Sequence, residues 1–269
     1  MFDVSPTSSA GQLRHGATID IKTHPLRLQT TIASEVSRPS FVIWLAPLRS
    51  ATEPHGMKQW SAVALLFCVL LTACADSSEA TRRKAEKGDA AAQRKLGWMY
   101  AQGTGVPKDS AEAVKWYRKA AEQGHAVAQS NLGFMYANGD GVPKDETEAV
   151  KWYRKAAERG VALAQSQLGW MYENGSGVPK DPVEAVKWCR KAAEQGYAAA
   201  QHNLGVMYYN GTGVIKNPAQ AHAWWSIAGS RGFKEAKKNL VSLEKEMTAE
   251  QKAEAMKLER ELFARLRKK

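Results

Sequence analysis

A five-residue segment, Leu-Gly-aromatic-Met-Tyr, returns every 36 residues: Leu96 to Tyr100, Leu132 to Tyr136, Leu168 to Tyr172, and Leu204 to Tyr208, where Val206 replaces the aromatic residue. A period of that length is the mark of stacked helix pairs. One such unit is too small to bury its own apolar face, so neighbours must complete each other's interior. The prediction is an all-α solenoid of stacked antiparallel helix pairs. The repeat therefore specifies an architecture and a binding type of work, without naming what is bound.

Two helices are legible in each unit. The first, near Ala90 to Gln102, sets Ala92, Leu96 and Tyr100 at four-residue steps, as Ala128, Leu132, Tyr136 and Ala164, Leu168, Tyr172 do later. That is one apolar helix face. Gly97, Gly133, Gly169 and Gly205 fall in mid-helix, where glycine costs about 1 kcal/mol relative to alanine, so its return implies close helix approach. The second helix, near Ser110 to Gln123, is amphipathic. Ala113, Trp116, Tyr117, Ala120 and Ala121 face one way, while Lys115, Arg118, Lys119 and Glu122 face the other. Asp109, Asp145, Asp181 and Asn217 stand as N-caps, with Glu112, Glu148, Glu184 and Gln220 three residues on in the form of capping boxes. Pro182 and Pro218 occupy first helical positions, and Gly124, Gly160, Gly196 and Gly232 are placed to stop each second helix.

The N-terminal third has a different character. Residues 1–56 are scattered with Pro6, Pro25, Pro39, Pro47 and Pro54 and show no sustained periodicity. Residues 57–73 then read as a secretory signal: Met57-Lys58-Gln59, an apolar run from Trp60 to Leu71, and small residues before a cysteine. The run is shorter than the roughly 20 residues of a bilayer span. Leu71-Thr72-Ala73-Cys74 resembles the bacterial lipobox, which implies a diacylglycerol anchor on Cys74, a short tether over 74–78 and no other membrane contact. On that resemblance translation is expected to start at Met57, with residues 1–56 untranslated or without a fold. The alternative is an internal anchor helix in a longer protein. Ala75 rather than Asp follows the cysteine, which by the same resemblance favours an outer-membrane lipoprotein facing the periplasm over inner-membrane retention.

Cys68 would be lost with the signal and Cys74 lipidated, leaving Cys189 alone and an intramolecular disulfide impossible. Cys189 takes the place of Tyr117, Tyr153 and Trp225 in the other units and is expected in the core. His125, His202 and His222 sit at three different repeat positions, so no metal site is expected, and no cofactor. The formal net charge is +11, and without residues 1–74, which hold six basic and four acidic side chains, the remainder still carries +9. The Lys and Arg are interleaved with Glu along helices, which reads as a solvated face rather than a nucleic-acid surface.

The order Ala-Gln, then Gly-x-Gly-Val-Pro-Lys-Asp, then Ala-Val-Lys-Trp-Tyr-Arg-Lys-Ala-Ala-Glu-Gln-Gly resembles the Sel1-like repeat, a cousin of the tetratricopeptide repeat. It covers residues 79–247, with four full units over 88–231 and an N-terminal half-unit. The fourth unit departs with Ile215 for Pro and Ile227-Ala228-Gly229 for Lys-Ala-Ala, which fits an end unit. Residues 248–269 read as a charged C-terminal capping helix. The resemblance implies a right-handed superhelix whose concave side is lined by the first helices and holds other proteins. Binding residues are then expected opposite the Ala92-Leu96-Tyr100 face: Arg94, Trp98, Gln102; Ser130, Phe134, Asn138; Ser166, Trp170, Asn174; and His202, Val206, Asn210. Aromatics flanked by amides suit peptide recognition. The other reading packs Trp98, Phe134 and Trp170 between units.

Some relatives of this repeat have been linked to β-lactam chemistry, and Ser242-Leu243-Glu244-Lys245 matches a bare Ser-x-x-Lys pattern. The Ser-Asp-Asn and Lys-Thr-Gly partners are missing, so a hydrolase is not expected. The expectation is a lipid-anchored scaffold binding a protein or peptide partner in the cell envelope. The alternative is a binder of peptidoglycan or another envelope polysaccharide. Nothing in the sequence fixes the oligomeric state.

Overall fold

The computed structural model describes residues 78–267. Cys74, the signal segment and residues 1–56 lie outside the described residues. A first helix, α1, is described over residues 78–86. It is followed by α2 (Ala90–Gln102), α3 (Ser110–Glu122), α4 (Ala126–Asn138), α5 (Glu146–Glu158), α6 (Ala162–Asn174), α7 (Pro182–Glu194), α8 (Ala198–Asn210), α9 (Pro218–Ser230), α10 (Lys234–Glu246) and α11 (Ala249–Arg267). The even-numbered helices α2 to α8 are the first helices of their units, and α3 to α9 the second. Paired antiparallel helices dock serially into an α-solenoid superhelix.

Local chemistry sets these boundaries. Asp109, Asp145 and Asn217 accept from the backbone N–H three residues on, and Asp181 accepts from both Val183 and Glu184. The reciprocal half of the capping box does not form. Asp109 N–H already donates to the Tyr100 carbonyl at 2.9 Å, with the same bond at Asp145, Asp181 and Asn217, so the glutamates have no cap to return to. Glu112, Glu148 and Glu184 pair instead with Lys115, Lys151 and Lys187 one turn on. At the other end, Gly124, Gly160, Gly196 and Gly232 take φ of 85° to 89°, the left-handed region that stops a helix.

Three repeated contacts join the units. Leu96, Leu132, Leu168 and Leu204 are fully buried at the centre of each hairpin. Beside them the mid-helix glycines admit a large side chain: a Cβ on Gly97 would lie 2.7 Å from the Tyr117 ring, and one on Gly205 2.5 Å from Trp225. Gln93, Gln129, Gln165 and Gln201 are buried, and each donates its Nε2 to the carbonyl of Ala85, Ala121, Ala157 or Ala193, at 2.9–3.1 Å. These are last-turn carbonyls of the preceding second helix, each of which also accepts from the N–H of the stop glycine, Gly88, Gly124, Gly160 or Gly196. Finally, Arg82, Arg118, Arg154 and Arg190 each donate to the hydroxyl of Tyr100, Tyr136, Tyr172 or Tyr208 on the next first helix.

The C-terminal end departs from this pattern for two steric reasons. The α10 helix starts 36 residues after α8 and is the first helix of a fifth unit, but Val241 stands where the other first helices carry glycine. A second helix cannot close against that Cβ, and Val241 is 56% exposed. The next helix, α11, lies on α9 instead. There the outward Lys187, Arg190 and Lys191 of α7 have become Ala223, Ser226 and Ile227, and Ala223 and Ile227 are fully buried. Leu262 packs into the cluster of Cys189, Ala192, Trp224 and Ile227. Ser226 Oγ donates to Glu259 at 2.6 Å, and Arg265 reaches Glu194 of α7 at 3.3 Å. The unusual composition of the fourth unit thus reflects a helix laid across its outer side.

Candidate interaction face on the first helices

The solvent-facing positions of the first helices fall at i, i+4, i+7 and i+11. On α2 these are Ala91, Lys95, Trp98 and Gln102, all exposed; on α4 Val127 and Asn138 are exposed with Asn131 and Phe134 half-buried; on α6 Asn174 is exposed with Leu163, Gln167 and Trp170 half-buried. Trp98 is 40% exposed, and Phe134 and Trp170 are half-buried against the cluster around Leu168 and Met171. Both earlier readings of these aromatics therefore hold in part: each wedges between units and leaves one side in solvent. Gln102, Asn138, Asn174 and Asn210 are exposed at the helix ends. Asn138 and Asn174 donate back to the carbonyls of Phe134 and Trp170, at 3.0 and 2.8 Å, which fixes each amide with its oxygen still available.

Four of the twelve expected residues need correction. Ser130 and Ser166 are 1% and 3% exposed, because this register turns toward the next first helix, and their small size fits packing there. Val206 is 6% exposed and belongs to the core. His202 is half-buried in the same register as the serines, so it faces α10: its ring lies 4.8 Å from Phe233, and its Nε2 is 3.2 Å from Asn239 Nδ2. Arg94, also in this register, is half-buried near Tyr117 and His125.

The residues missed lie one position further on. Asn131, Gln167, Asn203 and Asn239 form a second carboxamide row at the 36-residue spacing, with Lys95 in the same register at the start. Their signal was in the sequence, as a polar amide repeated four times beside small or buried residues.

Burial dominates the titrating groups here. Desolvation lowers the pKa of His202, so its neutral ring can accept from Asn239. That contribution is present above the ordinary histidine pKa and is lost as pH falls through the depressed folded value. Burial raises the carboxyl of Glu173 on α6, with Lys180 opposing. The Cys189 thiol, 1% exposed, is pushed up to about 12 by burial, with Glu173 adding to the rise. Its stabilising share is whole below the ordinary thiol pKa and is lost as pH rises toward 12. Native protein at pH 8 is therefore expected to resist alkylation at Cys189 and to label promptly in urea, read by intact mass; fast native labelling would contradict the buried placement.

Ser242 and Lys245 are both exposed on α10. Among the described residues no group of three His, Cys, Asp or Glu is placed to hold a metal ion. Nor is any described helix long and apolar enough to cross a membrane.

What these helix pairs are is decided by comparison. The Sel1 repeat matches residues 90–125, 126–161, 162–197 and 198–233, more than half of the chain and in unbroken succession. The chain belongs to the Sel1-repeat family. Its repeats begin two residues later than the glycine-based units read from the sequence. A Sel1 repeat protein from Oxalobacter formigenes is 38% identical over 65% of this chain and 71% of its own, with a TM-score of 0.58. A protective antigen of uropathogenic Escherichia coli strains, c5321, which displays an SLR fold, is 34% identical over 71% of this chain and 49% of its own (TM-score 0.48). The immunity protein Pa5087 from Pseudomonas aeruginosa is 24% identical over 71% and 72%, with a TM-score of 0.43. No curated protein matches the chain. As a Sel1-repeat protein it is a scaffold for protein–protein interaction.

Proposed function

We propose that this Sel1-repeat scaffold holds an extended segment of a partner protein along its first helices, on the concave side of the superhelix, and that a lipid on Cys74 anchors it to the outer membrane facing the periplasm. One observation carries the binding reading: two carboxamide rows flank an aromatic row, all on one face and all at the 36-residue spacing. A polypeptide backbone offers one donor and one acceptor per residue. A carboxamide supplies the matching acceptor and donors, whatever the partner's side chains. Exposed aromatic surface adds contact area and tends to dominate binding energy. The anchor reading rests on Leu71-Thr72-Ala73-Cys74, four residues before the first described helix.

Affinity capture from bacterial envelope extracts tests the binding reading. A discrete protein should be retained by the native chain and lost, by tenfold or more, on Trp98→Ala with Trp170→Ala. Retention of cell-wall polysaccharide without protein would replace this reading with a carbohydrate one. Metabolic labelling with palmitate tests the anchor separately: Cys74→Ala should abolish the label, and a variant that still labels removes the anchor.

A further inference from the structure

The exposed face is not electrically uniform along the solenoid. On α2 the face carries Lys95, while Arg94 stands half-buried in the register that turns toward the next first helix; α2 has no acidic residue. The α4 and α8 helices hold no Lys, Arg, Asp or Glu at all. On α6 only Glu173 is acidic, half-buried and opposed by Lys180. The α10 helix places Glu235, Asn239, Ser242 and Glu246 in the register of the exposed stripe. Two contacts show that this stripe adjoins α8: Asn239 meets His202, and the Tyr209 hydroxyl donates to Glu246 at 3.2 Å. The lysines of α10 stand elsewhere. Lys237 packs beside Gly229 of α9, its Cγ 3.0 Å from where a Cβ on that glycine would sit. Lys238 and Lys245 share the register of His202 and Tyr209, which on α8 turns toward the next helix, so on α10 it turns away from the groove. Lys234 is at the first position of α10, in the register of Ala198. Lys216 approaches over the Tyr209 ring, at 5.4 Å to its centroid, and Lys108, Lys144 and Lys180 stand at the same repeat position beside the ends of α2, α4 and α6, so this lysine recurs evenly along the solenoid and sets no direction.

We propose that the groove has a direction: a bound segment lies with its carboxylate-bearing end on Lys95 of α2 and its ammonium- or guanidinium-bearing end on Glu235 and Glu246 of α10. This rests on the peptide-binding reading above and adds the charge pattern of the partner. Five first helices at about 8–10 Å per step span roughly 32–40 Å. An extended chain at about 3.3 Å per residue crosses that in roughly ten to twelve residues. The occupant is therefore a segment of about that length, acidic at one end, basic at the other and uncharged between, where the carboxamides and aromatics take its backbone and apolar groups.

The test uses the full chain and a twelve-residue peptide with blocked termini, two Glu at one end, two Lys at the other and a neutral middle. One version carries benzoylphenylalanine beside the glutamates and a second carries it beside the lysines; adducts are mapped by mass spectrometry. The first should crosslink to α2 and α4 and the second to α8 and α10. A peptide with the same four charges dispersed should bind about tenfold more weakly in low salt, as expected for a few exposed ion pairs, and the gap should close in 0.5 M salt. Lys95→Glu combined with Glu235→Lys and Glu246→Lys should exchange the two adduct patterns. If both probes mark the same helices, or the reversal leaves the pattern unchanged, the direction is wrong while the groove stands. If no adduct forms on the first helices, the peptide-binding reading falls with it.

Discussion

Replacing Ile227 with lysine is expected to destabilise the C-terminal third by about 3 kcal/mol or more, although it only restores the residue type that Lys119, Lys155 and Lys191 supply in the other units. Ile227 is fully buried beneath α11 in the cluster that includes Leu262 and Trp224. A lysine there must either bury an unpaired ammonium or push α11 away, which uncovers Ala223, Trp224 and Ile227's own site. Either route loses apolar burial worth about 1.5–3 kcal/mol per large side chain. The reverse change one unit earlier, Lys191→Ile, removes only a contact with the Trp188 face at 4.0 Å and should alter stability by less than about 1 kcal/mol. Urea unfolding followed by circular dichroism separates the two. Equal effects at 191 and 227 would mean that α11 does not cover α9.

The second large effect is expected where Gly205 of α8 meets Trp225 of α9. Trp225 is fully buried and donates its Nε1 to the His202 carbonyl at 3.0 Å, so Trp225→Ala should cost about 3–5 kcal/mol through the cavity it leaves. Gly205→Ala alone should cost about 1–3 kcal/mol, because its Cβ would meet Trp225 Cδ1 and Nε1 at 2.5 Å and a side chain packed on all sides has little room to yield. In the Trp225→Ala background the same glycine change should be neutral or stabilising, since the ring is gone and alanine favours the helix by about 1 kcal/mol. The coupling in this double-mutant cycle should reach about 2 kcal/mol. Additive effects would show that the glycine is not there to admit the ring.

Periodicity made the hairpins legible because each depends on short-range signals that repeat: Asp109 and its counterparts cap, Gly124 and its counterparts stop, and Leu96 and its counterparts mark the buried side. Two features were misread for reasons of geometry. The Glu or Gln three places after each cap suggests a reciprocal box, but a bond from the cap N–H to the preceding unit-mate helix, Asp109 to Tyr100, occupies the donor first. The end of the array looked like a simple loss of pattern in the fourth unit. The informative changes were a pair: Val241 in a glycine register blocks the ordinary hairpin, and Ile227 in a lysine register receives the diverted helix. Neither has meaning until both helices are placed.

Part of the candidate face lies one residue away from the register that the helices leave toward solvent. A helix advances about 100° per residue, so a stripe drawn through Arg94, Ser130, Ser166 and His202 instead of Lys95, Asn131, Gln167 and Asn203 rotates from the exposed side into the seam between units. The outer amides Gln102, Asn138, Asn174 and Asn210 are exposed as their register opposite the fully buried leucines implies, whereas of the aromatic row only Trp98 is exposed and Phe134 and Trp170 stay half-buried between units.

The most direct test of the binding face is oxidative footprinting of the tryptophans with and without the captured partner. In the free chain Trp98 is 40% exposed on a first helix, while Trp116, half-buried on a second helix, lies beneath Lys119 at 4.2 Å. Binding along the first helices should protect Trp98 several-fold and leave Trp116 unchanged. Protection of Trp116 with Trp98 still reactive would place the partner on the second helices and contradict the first-helix binding face.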